Sequence, residues 1–509
     1  METLCHKQLR FESLFSKEII ADFEGGRITS DAGGLLLREL DQRYRIAEKA
    51  TACLHDPRDV GKVKHDLLTL VRQRLFAIAL GYEDNNDAAW LSKDPALKIM
   101  AGKAPESGDN LASQPTLSRF ENRVTAKDLR RLSNCLMDLY LKTHPGPRKV
   151  IVLDMDATDD PTHGQQQLSF FHGYYEEHMY HPLLVFDGRT GFPLAAVLRP
   201  GNTHASYGAL AVLKRLIKKL KKAYPGALIL FRADAGFAVP ALYRYLERQE
   251  IRYVIGFITN NRVLAKATPL LSKAQRQYQD TGEKQRLFTS FSYQAESWTR
   301  PRRIIAKVEY SRLGANQRFV VTNLNRNPQF VYDDIYVLRG DVENRIKELK
   351  LELKADRLSC HRFLANQFRL LLHTAAYCLF WLLRHHLRNT ELATAQVNTL
   401  RLKLLKIGAR IRETSRHIWV HLASGYPYRD LLALVLQNLR ASPAYSAPHP
   451  FCLSLAGEVC SKSALTHHLA GLLPENPILR LFHPSLSLLR RLLSFKKPLR
   501  KRPSHIHYE

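Results

Sequence analysis

Acidic residues are scarce in this 509-residue chain: 48 Asp and Glu stand against 76 Lys and Arg, for a formal charge of +28. Such a balance agrees with a partner that supplies negative charge, the phosphate backbone of a nucleic acid among them, although binders of membrane surfaces and of acidic proteins share it. Cysteine is also sparse, with seven residues in an odd number and no C-x2-C pair. Neither a zinc site nor a disulfide framework is indicated, and a reducing cytoplasm fits best. Long apolar runs are missing. The most apolar stretch, 368–383, is interrupted by Arg369 and His373 and falls short of the roughly 20 residues that span a bilayer, so a core helix is expected there and no membrane partner. Met1 to Ile20 lacks the apolar region of a signal peptide. No repeat or low-complexity tract appears, and a hydrophobic content of 45% suffices for two or three cores.

With acids so few, their placement carries information. Tyr336, Arg339, Glu343 and Lys350 project within a sector of about 60° on a helix advancing about 100° per residue. The stripe Val342, Ile346, Leu349 and Leu353 beside them is apolar and can dock. Two more acidic positions lie upstream at the ends of strand-like runs. Lys149 to Asp156 closes on Asp154 and Asp156, at the two-residue period that sets both on one strand face, and Ala227 to Phe237 closes on Asp234 and Gly236. Between these runs the pattern predicts a hairpin over 183–198, turning at Asp187-Gly188, and a helix over 208–224; a helix over 239–249 and a strand over 252–257 follow. Carboxylates at strand ends face a cleft. Three of them suit Mg2+ or Mn2+, which prefer hard oxygen ligands. Two such ions about 3.5 to 4 Å apart can cut and rejoin a phosphodiester.

The spacing Y-x2-R-x3-E-x6-K resembles the signature of DDE-type transposases of bacterial insertion sequences (DDE transposase group 1). Asp159 to Gln166, reading D-D-P-T-H-G-Q-Q, and Arg199-Pro200-Gly201-Asn202 also look like that group, and the resemblance covers roughly residues 10–440. It implies an α/β fold: a ribonuclease-H-like catalytic core with a β-rich insertion, a helical N-terminal domain and a helical C-terminal region. Glu343 would be the third metal ligand beside Asp156 and Asp234. Related enzymes carry D-x-T, which favours Asp156 as the first ligand, with Asp154 in reserve. The insertion would hold strands near 286–295, 302–310 and 318–324. Because some members hold a flipped base with an aromatic residue there, Trp298, flanked by Arg300, Arg302 and Arg303, is the candidate.

The implied activity is cut-and-paste transposition: binding of terminal inverted repeats, two-metal-ion cleavage and strand transfer into double-stranded target DNA. A homodimer would assemble on two DNA ends in the bacterial cytoplasm, associated with the nucleoid. Tyr336, Arg339 and Lys350 would contact DNA beside the carboxylates. Arg119, on a helix opening at Ser113-Gln114-Pro115, would contact it in the N-terminal region. The expected divisions are a helical DNA-binding region over 1–147, closed by Pro145-Gly146-Pro147; the first part of the core over 148–257; the insertion over 258–332; core completion and C-terminal helices over 333–430, with a basic amphipathic element near 400–412; and a basic, partly disordered extension over 431–509 that ends in Lys496 to Arg502.

Two other readings stay open. Val-Leu-Asp-Met-Asp-Ala-Thr also matches the D-x-D-x-T loop of haloacid-dehalogenase-like phosphatases, with Asp154 as nucleophile and Asp156 as acid/base. That reading needs a downstream acidic pair, and Arg-Ala-Asp-Ala-Gly-Phe offers one Asp. The other is a catalytically inactive DNA-binding regulator, which would have no use for all three carboxylates.

Overall fold

The structure, a computed structural model, describes residues 8–441. Its centre is an eight-stranded mixed sheet built from β1 (Val150–Ala157), β2 (Leu183–Asp187), β3 (Pro193–Val197), β4 (Leu228–Ala233), β5 (Arg252–Phe257), β6 (Gln285–Tyr293), β7 (Arg302–Ser311) and β8 (Gly314–Thr322). The strand order is β6-β7-β8-β5-β4-β1-β2-β3. β4 runs parallel to both β1 and β5, and every other pairing is antiparallel. β1 and β4 read as near-continuous apolar runs because elements cover both of their faces. The β2–β3 turn must be glycine at Gly188, where a Cβ would run into Asp154 Oδ2 and Arg232 Nη2.

The segment between β5 and the Tyr336–Lys350 region does hold three strands, and they extend the central sheet: β8 pairs with β5, matching Val254 with Thr322. It also holds a helix that sequence pattern did not reveal, Asn261–Thr281, capped by the Asn260 side chain and closed by Gly282 at φ +69°. Only Val263, Ala267 and Ala274 of that helix are buried, too few to imprint an apolar period. A second unforeseen element is the small sheet of Asp160–Pro161, Glu177–Tyr180 and Phe170–His172.

The helices Leu67–Leu80, Gln114–Asn122 and Ala126–Thr143 pack with the sheet around the Phe363–His386 helix, and one continuous apolar core runs through all of them. The polar interruptions in that last helix have partners. Arg369 and Arg74 both bond the buried Glu121 carboxylate, each at 2.7 Å, and His373 Nδ1 lies 2.7 Å from the Leu353 carbonyl. Ser113 stands at the N-cap of Gln114–Asn122 as expected, yet its side chain makes no capping bond. The basic stretch near 400–412 is divided: helical turns over Val397–Leu400 and Arg401–Leu405 give way to a strand, Ala409–Glu413, which pairs with Ile28–Thr29 and Ile418–Leu422. The helix Arg429–Ala441 follows, and the rest of the expected basic extension lies outside the described residues. A hairpin, Gln8–Leu14 with Lys17–Asp22, is exposed along nearly its whole length. Among the described residues no helix is long and apolar enough to cross a membrane.

Candidate active site

Asp156 stands near the end of β1, and Asp234 follows β4, its neighbour in the sheet. Parallel pairing brings the two ends together. Asp234 caps a short turn, its Oδ1 accepting from Gly236 N at 3.0 Å. Against them lies the helical stretch 328–352, which is not the regular helix that the residue spacing predicts. Wide turns over Val331–Tyr336 and Glu348–Glu352 flank a tight turn over Val337–Gly340 and regular helix over Asp341–Lys347. The stripe Val342, Ile346, Leu349 and Leu353 is buried as expected.

Arg339 ties the cluster together. Its Nη1 donates to Asp156 Oδ2 at 3.0 Å and its Nη2 to Glu343 Oε1 at 2.9 Å, while the guanidinium sits 6.0 Å from the Tyr336 ring centre. Tyr336 reaches inward, and β5 makes room for it with Gly256, where a Cβ would stand 2.7 Å from both Ala235 N and Tyr336 Oη. Burial pushes the Asp156 carboxyl up to about 7; Arg339 opposes the rise, and the nearby charges of Asp234 and Glu343 add to it. Asp234 is raised by burial as well, against the pull of Arg339. Burial also lifts the Tyr336 hydroxyl.

Asp156, Asp234, Glu343, Tyr336 and Arg339 thus form one cluster. Lys350 stands beside it, donating to Asp159 Oδ2 at 2.8 Å and to Thr158 Oγ1 at 3.3 Å. Asp154 is separate despite sharing a strand face with Asp156. It is fully buried and held by both arms of Arg232, at 2.6 and 2.7 Å, and Arg232 in turn donates to the Ile335 carbonyl at 2.7 Å. Among the described residues, no group of three or more His, Cys, Asp or Glu stands close enough to hold an ion, and the Arg339 guanidinium occupies the space between Asp156 and Glu343.

Trp298 lies in the interior and not on a DNA-facing surface. Only 5% of it is exposed; it packs edge-on to Tyr243, Phe257 and Tyr293, with the Arg302 guanidinium 5.1 Å from its ring. Arg302 is itself engaged with Glu247 at 2.7 Å. The cations around this Trp complete a packed core, and the ring offers no face to a base. Arg119 is exposed on its helix, near Thr116, apart from the carboxylates.

Residues that sequence reasoning missed form the opposite wall. Buried Arg199 donates to the carbonyls of His181, Ala205 and Tyr207 at 2.6, 2.6 and 2.9 Å, fastening the loop 199–207 beside Asp234; a Cβ on Gly236 would lie 2.8 Å from that of Ala205. A Cβ on Gly201 would run into the carbonyls of Met179 and Phe170. Arg199-Pro200-Gly201-Asn202 was visible as a motif, but its role in holding a loop was not.

The family model described as transposase DDE domain group 1 matches residues 11–444 of this chain. Among solved structures, the chain is similar to a piggyBac transposase, seen by cryo-electron microscopy in its synaptic complex with hairpin DNA. The identity is 10% and the TM-score 0.39, over 82% of this chain and 83% of that one. No curated protein matches.

Proposed function

The chain belongs to the transposase DDE domain group 1 family and is a DNA transposase, and from this premise we propose that it binds the terminal inverted repeats of its own insertion sequence and moves them by cut-and-paste chemistry at Asp156, Asp234 and Glu343. The observation that carries the reading is that Asp156 and Asp234 stand at the neighbouring ends of β1 and β4 while Arg339 links Asp156 to Glu343 on the helical stretch against them, three segments far apart in sequence. The order β3-β2-β1-β4-β5, with β1, β3, β4 and β5 running one way and β2 the other, supports a ribonuclease-H-like core, with β6–β8 as its insertion and the helices before Pro145 as the DNA-binding region.

The donor set suits a hard divalent cation. It offers oxygen ligands without Cys, and Asp156 remains raised although Arg339 is its partner. Asp156, Asp234 and Glu343 would hold two Mg2+ or Mn2+ ions, which would activate the attacking water or 3′ hydroxyl and stabilise the departing oxygen. Arg339 and Lys350 would meet the scissile phosphate, and Tyr336, packed against Gly256, has its ring beside the Arg339 guanidinium. Their partners on DNA are the phosphates of the transposon ends and of the target, and the setting is the bacterial cytoplasm and its nucleoid.

Two ends must be joined, so the working form is a homodimer on DNA. The charge of +28 keeps free protomers apart until DNA neutralises it. The exposed Leu9, Phe11, Leu14, Ile19 and Ile20 of the N-terminal hairpin offer a surface for the second protomer. The phosphatase alternative loses its nucleophile, because Asp154 is fully buried and doubly bonded to Arg232.

The test is cleavage of a duplex bearing the inverted repeats that flank the gene. Asp156→Ala, Asp234→Ala and Glu343→Ala should each reduce cleavage to background while gel-shift binding stays near the wild-type level. Cleavage surviving any one of the three substitutions removes that residue from the site.

A further inference from the structure

Between Glu391 and Asp430 the chain holds one acidic residue, Glu413, among seven Lys and Arg. Part of this cationic stretch is fixed as a two-stranded ribbon. Ala409–Glu413 and Ile418–Leu422 pair antiparallel, and Ile28–Thr29 lies along the other edge of the first strand. The ribbon is tied to the N-terminal region. Ile411 N donates to the Arg27 carbonyl at 2.8 Å, and the Glu413 carboxylate accepts from Glu106 N at 2.9 Å, Ser107 N at 3.0 Å and Ser107 Oγ at 2.6 Å. The one acid of the ribbon is thereby occupied.

Alternation along the strands sorts the ribbon into two faces. Ala409 and Ile411 turn inward and are buried; Arg410 and Arg412 point the other way and are exposed. Residues paired across strands share a face, so His421 stands opposite Arg410 and Trp419 opposite Arg412. Trp419 is 52% exposed. Its ring lies within 6° of parallel to that of His421 and its centre 5.7 Å from that of His417. Arg416 stands in the turn that joins the strands. Among the described residues, Arg410, Arg412 and Arg416 have no carboxylate partner, whereas Arg232, Arg302, Arg339 and Arg369, which serve the interior and the catalytic cluster, each have one.

Unpaired guanidinium groups beside an exposed ring, on a face without a free acid, fit a partner whose negative charges flank apolar surface. A second copy of this chain, at +28, would be repelled. Duplex DNA has the required form: its major groove admits a two-stranded ribbon, whose cations meet the phosphates along the walls while an apolar side chain meets base edges and thymine methyls. We propose that the ribbon 409–422 is a duplex-binding surface that lays Arg410, Arg412 and Trp419 against the paired strands of a transposon end. The inference rests on the action at DNA ends proposed above. Because the ribbon is fastened to residues 27–29 and 106–107, it gives the N-terminal region a hold on the duplex that comes from the far end of the described chain.

The test uses the full chain and a fluorescein-labelled duplex carrying the flanking inverted repeats, with affinity followed by anisotropy over a range of salt concentrations. Each phosphate contact adds roughly 0.9 to the slope of log affinity against log salt, so the double variant Arg410→Gln, Arg412→Gln should flatten that slope by about 1.8. Arg410→Lys, Arg412→Lys should keep it. The double variant Lys218→Gln, Lys222→Gln, which removes equal charge from exposed positions of the 209–223 helix, should keep it too. All three should melt with the wild type, since the altered side chains are exposed. With p-benzoylphenylalanine in place of Trp419, irradiation should join the chain to the labelled duplex. An unchanged slope in the Arg410→Gln, Arg412→Gln variant, an equal flattening in the Lys218→Gln, Lys222→Gln variant, or irradiation that leaves the duplex free or joins two protomers instead would overturn the ribbon's role and leave the cleavage reading standing. A wild type that binds this duplex and never cleaves it counts against the cleavage reading alone, because neither the slope nor the crosslink depends on cleavage.

Discussion

Asp154 and Asp156 are the same residue type on the same face of one strand; the D-x-T pattern favoured Asp156, but the physical difference between them comes from β4 and has no local signal in the sequence. Parallel pairing sets Arg232 opposite Asp154, and the two hydrogen bonds it donates leave Asp154 no freedom to serve a ligand. Asp154→Asn should therefore act on stability. It leaves a buried guanidinium without its counter-charge, a loss on the order of 3–5 kcal/mol, read as a lowered melting temperature. Asp156→Asn should melt near the wild type, since Arg339 keeps Glu343 as a partner, and should fail only in cleavage. If Asp154→Asn melts like the wild type, the structural role given to it is wrong. Trp298 carries the same lesson. A Trp among cations reads equally well as a stacking platform or as core, and its burial against Tyr243, Phe257 and Tyr293, with Arg302 held by Glu247, decides for core.

At the scale of elements, the spacing of Tyr336, Arg339, Glu343 and Lys350 pointed to one face although the helix is irregular. Tight and wide turns change the angle per residue in opposite senses from the regular value, so their errors offset along the stretch. Reading that helix as regular sends Glu348 away from the site, and so it lies; yet it enters protein instead of solvent. It is bonded by Arg384, by the Tyr377 hydroxyl at 3.2 Å and by Val397 N at 3.2 Å. Glu348→Ala should cost about 3 kcal/mol or more by stranding Arg384, while Glu343→Ala, at an exposed position, should leave the melting curve unchanged. Activity lost in the first should follow unfolding, whereas in the second it should vanish from a fully folded protein. The strands and helices from β1 to β5 were legible because each buries a continuous or strongly periodic apolar face. The Asn261–Thr281 helix was not, having little to bury.

Across the molecule, the buried histidines should make acid destabilising well above the usual carboxylate range, against the opposite pull of carboxyls that burial raises, such as Asp156 and Asp160. Burial lowers His181, His385 and His386 to about 4 and His373 to about 3. Because these folded-state values lie below the unfolded one of about 6.5, the unfolded chain takes up protons first on acidification. Their contribution is complete above about pH 6.5 and is lost as pH falls toward 4. Between pH 7.5 and 5 the melting temperature should therefore fall more in the wild type than in a His385→Gln, His386→Gln variant; an equal fall in both would mean that these rings are not held neutral. The same core explains why a helical N-terminal region could be read from sequence while its union with the sheet could not. Phe120 meets Phe368 edge-on at 5.4 Å, and Glu121 joins arginines from two other helices, contacts between segments that no local pattern connects. That union bears on how such a protein can change its target. A chain cut near Pro145 would bare the apolar flank of the Phe363–His386 helix on one fragment and of Leu67–Leu80 on the other, so neither piece could be exchanged for a homologous part. A new specificity would have to arise by substitution on outward-facing positions such as Arg119, one side chain at a time, with the shared interior inherited whole.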